Sequence, residues 1–293
     1  MSTFILSSTG INARGCLGVT DLTLFDLPHL FGYQFFQFAL LGGIITAFAC
    51  AWIGFFLILR KEAMLGDGIA HTAFGGIALG LLLEVNPVLT ALAVSVLAVL
   101  GISYLRKRGL AQSDAAIAVM LALGFSGGLI IVSVAGGFNV ELLSYLFGSV
   151  LTIDGTDLLV VALLGLATLV FLGLFHKEML SITFDEESSR LMGIPVGALS
   201  TAFNVLVAVT IALSIKVIGI ILVVALLVLP GLTALQLNLS FRATTLTAVA
   251  VGVTSMLAGI LMSAVYHVAT SGVIVFTAAG FFVFAAAYRR AGA

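Results

Sequence analysis

KEAMLGDGIAHTAFGGIALGLLL, Lys61 to Leu83, is the stretch on which the reading of this chain turns. Past its first residues it is long and apolar enough for a membrane helix, since about 20 residues span a hydrocarbon core of roughly 30 Å. Yet it contains Asp67 and His71. A charged side chain in mid-bilayer costs about 2.5–3.5 kcal/mol on insertion scales. The i, i+4 spacing puts both groups on one helix face, with Cβ atoms about 6 Å apart. A carboxylate beside an imidazole is a ligand pair suited to a divalent transition metal. On spacing alone a plainer reading stays open, in which the two pair with each other or cap a neighbour. Gly68, Thr72, Gly76 and Gly80 recur every four residues, a ridge of small groups that lets another helix backbone come close.

The rest of the chain agrees with a membrane setting. It is 61% hydrophobic and 9% charged over 293 residues, with mean hydropathy +1.28. No soluble domain has that balance. Nine apolar runs are expected to span, at about 35–59, 63–83, 88–105, 114–135, 157–175, 196–215, 217–237, 243–266 and 271–288. The segment 140–150 is apolar but too short, and is expected to be re-entrant or interfacial. Basic residues fix the orientation. With Arg60 and Lys61 in the cytoplasm, 10 of the 12 lysines and arginines fall inside, and only Arg14 and Lys216 outside. The N-terminus is then outside and the C-terminus inside. Residues 1–30 read as an outer N-terminal segment and 31–293 as the transmembrane domain. The first residues lack a basic stretch followed by an apolar one, so no cleaved signal peptide is expected. Cys16 and Cys50 show no metal or redox spacing. No GxxxxGK[ST] occurs, so the chain carries no P-loop, and no repeat of 20–50 residues is visible. Nothing points to nucleic acid.

Two further stretches stand out. TFDEESSRLMGIP, from Thr183, lies in the longest cytoplasmic connection. Thr183 with Glu186 fits a capping box, or Asp185 is itself the N-cap. Glu186 and Glu187 suit the positive end of a short helix at about 184–192, Arg190 suits its other half, and Gly193 suits its end. Two turns are marginal alone in water, so a partner surface is the natural stabiliser, although an ordinary solvated loop would fit the same residues. In Ser214 to Leu237 the main interruption is Pro230-Gly231, where proline removes a helix hydrogen bond and can kink the span.

In these three stretches the chain resembles the membrane subunit of ABC-type metal-ion importers, the permease family for zinc, manganese and iron. The resemblance rests on LILRKEAMLGDGIAHTAFGGIALG (Leu57 to Gly80), FDEESSRLMGIPV (Phe184 to Val196) and IKVIGIILVVALLVLPGLTA (Ile215 to Ala234), and runs from about residue 33 to 288. It implies an all-α, polytopic, type II ABC importer-like permease in a prokaryotic cell (inner) membrane. It implies a second permease subunit, two cytosolic ABC ATPases that use the ATP, and an extracellular or periplasmic metal-binding protein. The metal is substrate; no permanently bound cofactor and no enzymatic residue is expected. The family's intramembrane acid and imidazole match Asp67 and His71. Its coupling helix matches Asp185 to Gly193, with Glu186, Glu187 and Arg190 inside it. Gly68, Gly76, Gly80 and Pro230 are then packing and gating positions. The chain departs from the family at Val268 and Thr270, where an acid and a proline are usual, while Gly272 remains. The competing expectation is an ion-coupled secondary cation transporter, which also places polar groups at mid-membrane.

Overall fold

The structure, a computed structural model, describes residues 33–137, 140–148, 154–266 and 268–291. The expected outer segment 1–30, with Cys16 and His29, and His267 lie outside the described residues. Every regular element within them is a helix. The first four are α1 (Gln34–Leu59), α2 (Ala63–Leu82), α3 (Pro87–Lys107) and α4 (Ser113–Val134). Next come the short α5 (Val140–Phe147), then α6 (Gly155–Leu174), and the short pair α7 (His176–Phe184) and α8 (Glu186–Leu191). The chain closes with α9 (Val196–Ile218), α10 (Ile220–Gln236), α11 (Phe241–Tyr266) and α12 (Thr270–Ala291).

Nine of these helices coincide with the nine expected spans. Eight are long and apolar enough to cross a membrane by length and composition, and the ninth, α10, has 17 residues. Contacts sort the helix ends into two layers. At one end Arg60 Nη2 donates to Ser200 Oγ at 2.5 Å, and Arg106 Nη1 to Glu62 Oε1 at 2.7 Å. The rings of Phe55 and Phe241 meet there at 5.6 Å, and Arg289 Nη1 donates to Gln236 Oε1 at 3.1 Å. At the other end Lys216 Nζ donates to Asp157 Oδ1 at 2.6 Å, and the backbone of Gly148 lies on Ile218 and Gly219. Helices α9 and α10 therefore run from one layer to the other.

Helix α10 sits at the centre, packed against α1, α11 and α12. Leu222, Val223, Leu226 and Leu227 are fully buried. A span sheathed by protein need not match the bilayer thickness, so 17 residues suffice. Its contact with α1 is backbone to backbone: a Cβ on Gly54 would land on the carbonyl of Leu227. One residue, Gly219, joins α9 to α10 with φ +82, a left-handed angle that glycine adopts without strain. The short α5 stays in the outer layer and ends at Gly148, φ +77, against this junction.

Several helix ends follow from local chemistry. Asn86 caps α3 by accepting from Val88 N at 3.0 Å, with Pro87 in the first turn, where its missing N–H costs nothing. Helix α1 ends with Glu62 N donating to Leu57 O and Lys61 N to Ile58 O. That closure puts Lys61 at φ +57, an angle more often given to glycine.

Candidate functional site

Helix α2 is the most enclosed of the spanning helices, wedged between α3 and α4 and touching α9 and α10. Its buried residues include Gly68, Thr72, Gly76 and Gly80. Apart from Ala63, Leu81 and Leu82 at its ends, the residues of α2 left accessible are Met64, Asp67, His71, Gly75 and Leu79, a single stripe at helical spacing. Both ionisable groups thus lie on the one open face of a helix otherwise closed by protein. Their side chains are 33% and 34% exposed, and His71 Nε2 stands 3.4 Å from Asp67 Oδ1. That separation is too long for a strong hydrogen bond, so oxygen and nitrogen lone pairs stay available to a cation. The His71 ring meets Phe125 of α4 edge-on at 5.0 Å, and Phe125 in turn contacts Phe74 at 5.6 Å. An imidazole braced on one side by a ring has few ways to turn.

Gly68, Gly76 and Gly80 face inward, and Gly75, on the stripe itself, lies against α4, where an added Cβ would meet Gly124 O at 2.5 Å. A Cβ on Gly68 would meet Ile117 Cγ2 of α4 at 2.7 Å, and one on Gly76 would meet Ala91 Cα of α3 at 2.7 Å. Gly80 is closed by Thr90 and Pro87, and Gly124 of α4 lies on Thr72. Pro230 lies inside α10, buried, with Gly252 of α11 facing its ring.

The connection between α6 and α9 holds two helices, α7 and α8, where the sequence suggested one. The Asp185 alternative is the one realised at the α8 N-terminus: Asp185 Oδ1 accepts from Glu187 N and Ser188 N, both at 3.0 Å. Thr183 instead donates to Met179 O at 2.7 Å, inside α7. The Ser188 hydroxyl and N–H hold the Asp185 carboxyl below its ordinary pKa. Arg190 pairs with Glu186 at 3.0 Å along the helix, while Glu187 lies beside the cap. Gly193, φ +83, ends it: its N–H donates to Arg190 O and that of Ile194 to Ser189 O. This is a complete Schellman closure. Around the helix Phe184, Leu191 and Met192 are 80%, 85% and 66% exposed. Sequence reasoning passed over these three because a lone apolar residue in a polar loop carries no period.

A second group was also missed. Glu62, almost fully buried, lies 3.3 Å from Arg60 and 2.7 Å from Arg106, and so ties together the ends of α1, α2 and α3. Burial lowers the Arg60 pKa, and the charge of Glu62 opposes that shift. In the linear sequence Glu62 reads as an ordinary solvated acid at a charged turn. At the outer end, Ser263 Oγ reaches Val268 O and Thr270 Oγ1, both at 2.7 Å, where the sequence departs from the usual acid and proline.

The model of the ABC 3 transport family matches residues 32–289. The chain belongs to that family. It is 32% identical over 267 residues, 91% of either chain, to the manganese transport system membrane protein MntC of Halalkalibacterium halodurans. It is 30% identical over 248 residues to the high-affinity zinc uptake system membrane protein ZnuB of Haemophilus influenzae, covering 84% of this chain and 94% of that one. Among solved structures, PsaBC from Streptococcus pneumoniae in complex with Fab superposes with a TM-score of 0.78 at 29% identity, covering 88% of this chain and 93% of its counterpart. As a member of the ABC 3 transport family the chain is an integral membrane protein, and its ionisable pair lies on α2, one of the eight described helices long and apolar enough to span.

Proposed function

We propose that this chain is the permease subunit of an ATP-binding-cassette importer that takes up a divalent transition metal ion, zinc or manganese, across a prokaryotic cell membrane. The observation that carries the reading is the open stripe of α2. Asp67 and His71 are the polar side chains on the accessible face of an otherwise enclosed membrane helix. Placing ionisable groups there is costly, so the arrangement is best explained by a cation that meets them in passage. Asp67 is the anionic ligand and His71 the neutral nitrogen donor. The names of the relatives, one a manganese and one a zinc system, support that class of substrate.

The cytoplasmic helix supports the ATP-driven form of transport over an ion-coupled one. Helix α8 is capped at both ends, and its flanks expose Phe184, Leu191 and Met192 to water. A rigid element with bare apolar flanks suits docking into a groove of a separate ATPase. Asp185, Glu186, Glu187, Arg190 and Gly193 keep that element in shape. The remaining parts of the reading are a second permease subunit and an external metal-binding protein that delivers the ion.

The direct test is metal uptake by the reconstituted transporter with Asp67→Ala and with His71→Ala. Each variant is expected to insert, to bind its ATPase, and to lose uptake. Normal uptake by both would remove the pair from the path. Uptake that needs no ATPase but follows an ion gradient would favour the secondary-transporter reading.

A further inference from the structure

A polar cleft of about 290 Å³ opens at the cytoplasmic end, between the last turn of α3, the first turns of α9 and the flank of α8. Its walls carry three cations, Arg106, Lys107 and Arg190, against one acid, Glu186. Arg106 is shared with the buried Glu62 and Arg190 with Glu186, so Lys107 is the cation left to meet a newcomer. Ser103 and Ser200 add hydroxyls, while that of Thr201 is spent on Gly197 O at 2.7 Å, and the N-terminus of α9 points its positive dipole end at the same space. The floor holds Asn204, 3% exposed, whose Oδ1 is buried without a hydrogen-bond partner. A buried amide with an unmet bond is costly unless something polar reaches it. A half-turn of the amide offers N–H donors in that place, because its O and N exchange positions.

We propose that this cleft binds the phosphate of an anionic lipid of the cytoplasmic leaflet. Position selects a lipid over a free anion. Lys107 ends a stripe on α3 formed by Leu97, Leu100 and Tyr104, which are 66%, 44% and 55% exposed at spacings of three, four and three residues. That stripe runs from the cleft into the membrane layer. An acyl chain lies along it while the headgroup phosphate reaches Lys107, the hydroxyls and Asn204. Basic pockets between helices on the cytoplasmic side are suited to such headgroups. Because the cleft includes Glu186 and Arg190, a bound lipid would also splint the coupling helix to α3 and α9. The inference is independent of the metal site.

The test uses the full chain in phosphatidylcholine nanodiscs, with phosphatidylglycerol titrated in and retained lipid counted by native mass spectrometry. Wild type is expected to hold phosphatidylglycerol in preference to phosphatidylcholine. Lys107→Gln should weaken that preference about fivefold, the loss expected for one cation near the headgroups. Ser103→Phe, which fills the cleft without touching the charges, should abolish it. If the phenylalanine variant fails to fold, the glutamine variant alone decides. Inorganic phosphate in millimolar excess should not displace the lipid. Phosphate that binds equally well in phosphatidylcholine alone, and is lost in the same variants, would make the ligand a soluble anion and overturn the lipid assignment. An absent preference in wild type, or one untouched by Lys107→Gln, would leave the cations as mere products of membrane orientation.

Discussion

Single residues set the shape of α8. A six-residue helix has little stability of its own, so both ends of α8 need closing. The Asp185 cap is strongest as a carboxylate acceptor, and its pKa is depressed by the Ser188 hydroxyl and N–H. A depressed pKa means that the stabilisation is present above the unfolded value, near about 3.9, and is lost as pH falls through the lower folded value. The cap is therefore intact at every pH from mildly acid to mildly alkaline. Asp185→Ala should loosen the coupling of ATP hydrolysis to uptake by the same factor at either end of that range. A defect confined to one end would show that Asp185 acts by something other than capping. Gly193 is the sharper case. No atom would meet an added Cβ there, so Gly193→Ala changes only the backbone, at about 1–2 kcal/mol for φ +83. The expected result is normal metal binding with ATPase activity less responsive to metal, measured on the reconstituted complex.

Helices meet one another here through small residues and one buried ion cluster, and the two kinds of contact fail differently. Gly76 lies against the α3 backbone at Ala91, which has no flexible end to move. Gly76→Leu should wedge α2 from α3 and lower stability by at least the roughly 1–3 kcal/mol of core overpacking. Glu62→Ala removes an acid rather than a fit. It leaves Arg60, whose side chain is 7% exposed, without its counter-charge, and should lower stability by about 3–5 kcal/mol. Thermal unfolding in detergent checks both, and a Glu62→Ala protein as stable as wild type would show the cluster to be solvated. These two sites also mark what the sequence could reveal. The spans were legible because a bilayer demands about 20 apolar residues in a row, and the glycine ridge because period four survives in one dimension. Helix α7 was not legible, because HKEMLSITF is short and mixed and has only Met179 and Ile182 to bury. The Glu62 cluster was hidden for another reason: Arg106 lies 44 residues away, and only the packing of α2 on α3 brings it to 2.7 Å. Asp67 and His71 were legible as residues, but their place on the one open stripe of α2 depends on which faces α3 and α4 cover.

For the whole molecule that open stripe poses a problem of ligand number. Among the described residues no group of three or more His, Cys, Asp or Glu side chains comes together. Asp67 and His71 alone supply two donors, whereas zinc and manganese sites use four or more. The accessible residues of α2 from Met64 to Leu79 form a narrow row edged by α4 at His71 and Gly75, and a second copy related by a two-fold axis would lay the same row against it. Two carboxylates and two imidazoles would then face one another across the axis. The same arrangement would cover the part of the molecule where an ionisable pair would otherwise meet lipid, which is the costliest setting for it. Leu79 lies on the stripe one turn beyond Gly75, two turns from His71, and is partly accessible. In a protein freed of native thiols by Cys16→Ser and Cys50→Ala, Leu79→Cys is expected to form a disulfide-linked dimer on mild oxidation. Leu97→Cys, more exposed than Leu79 but on the α3 stripe assigned to lipid, is expected to stay monomeric under the same treatment. Linkage through Leu97 and not through Leu79 would put the second subunit on the other side of the molecule, and the metal would then have to be held by two donors and water.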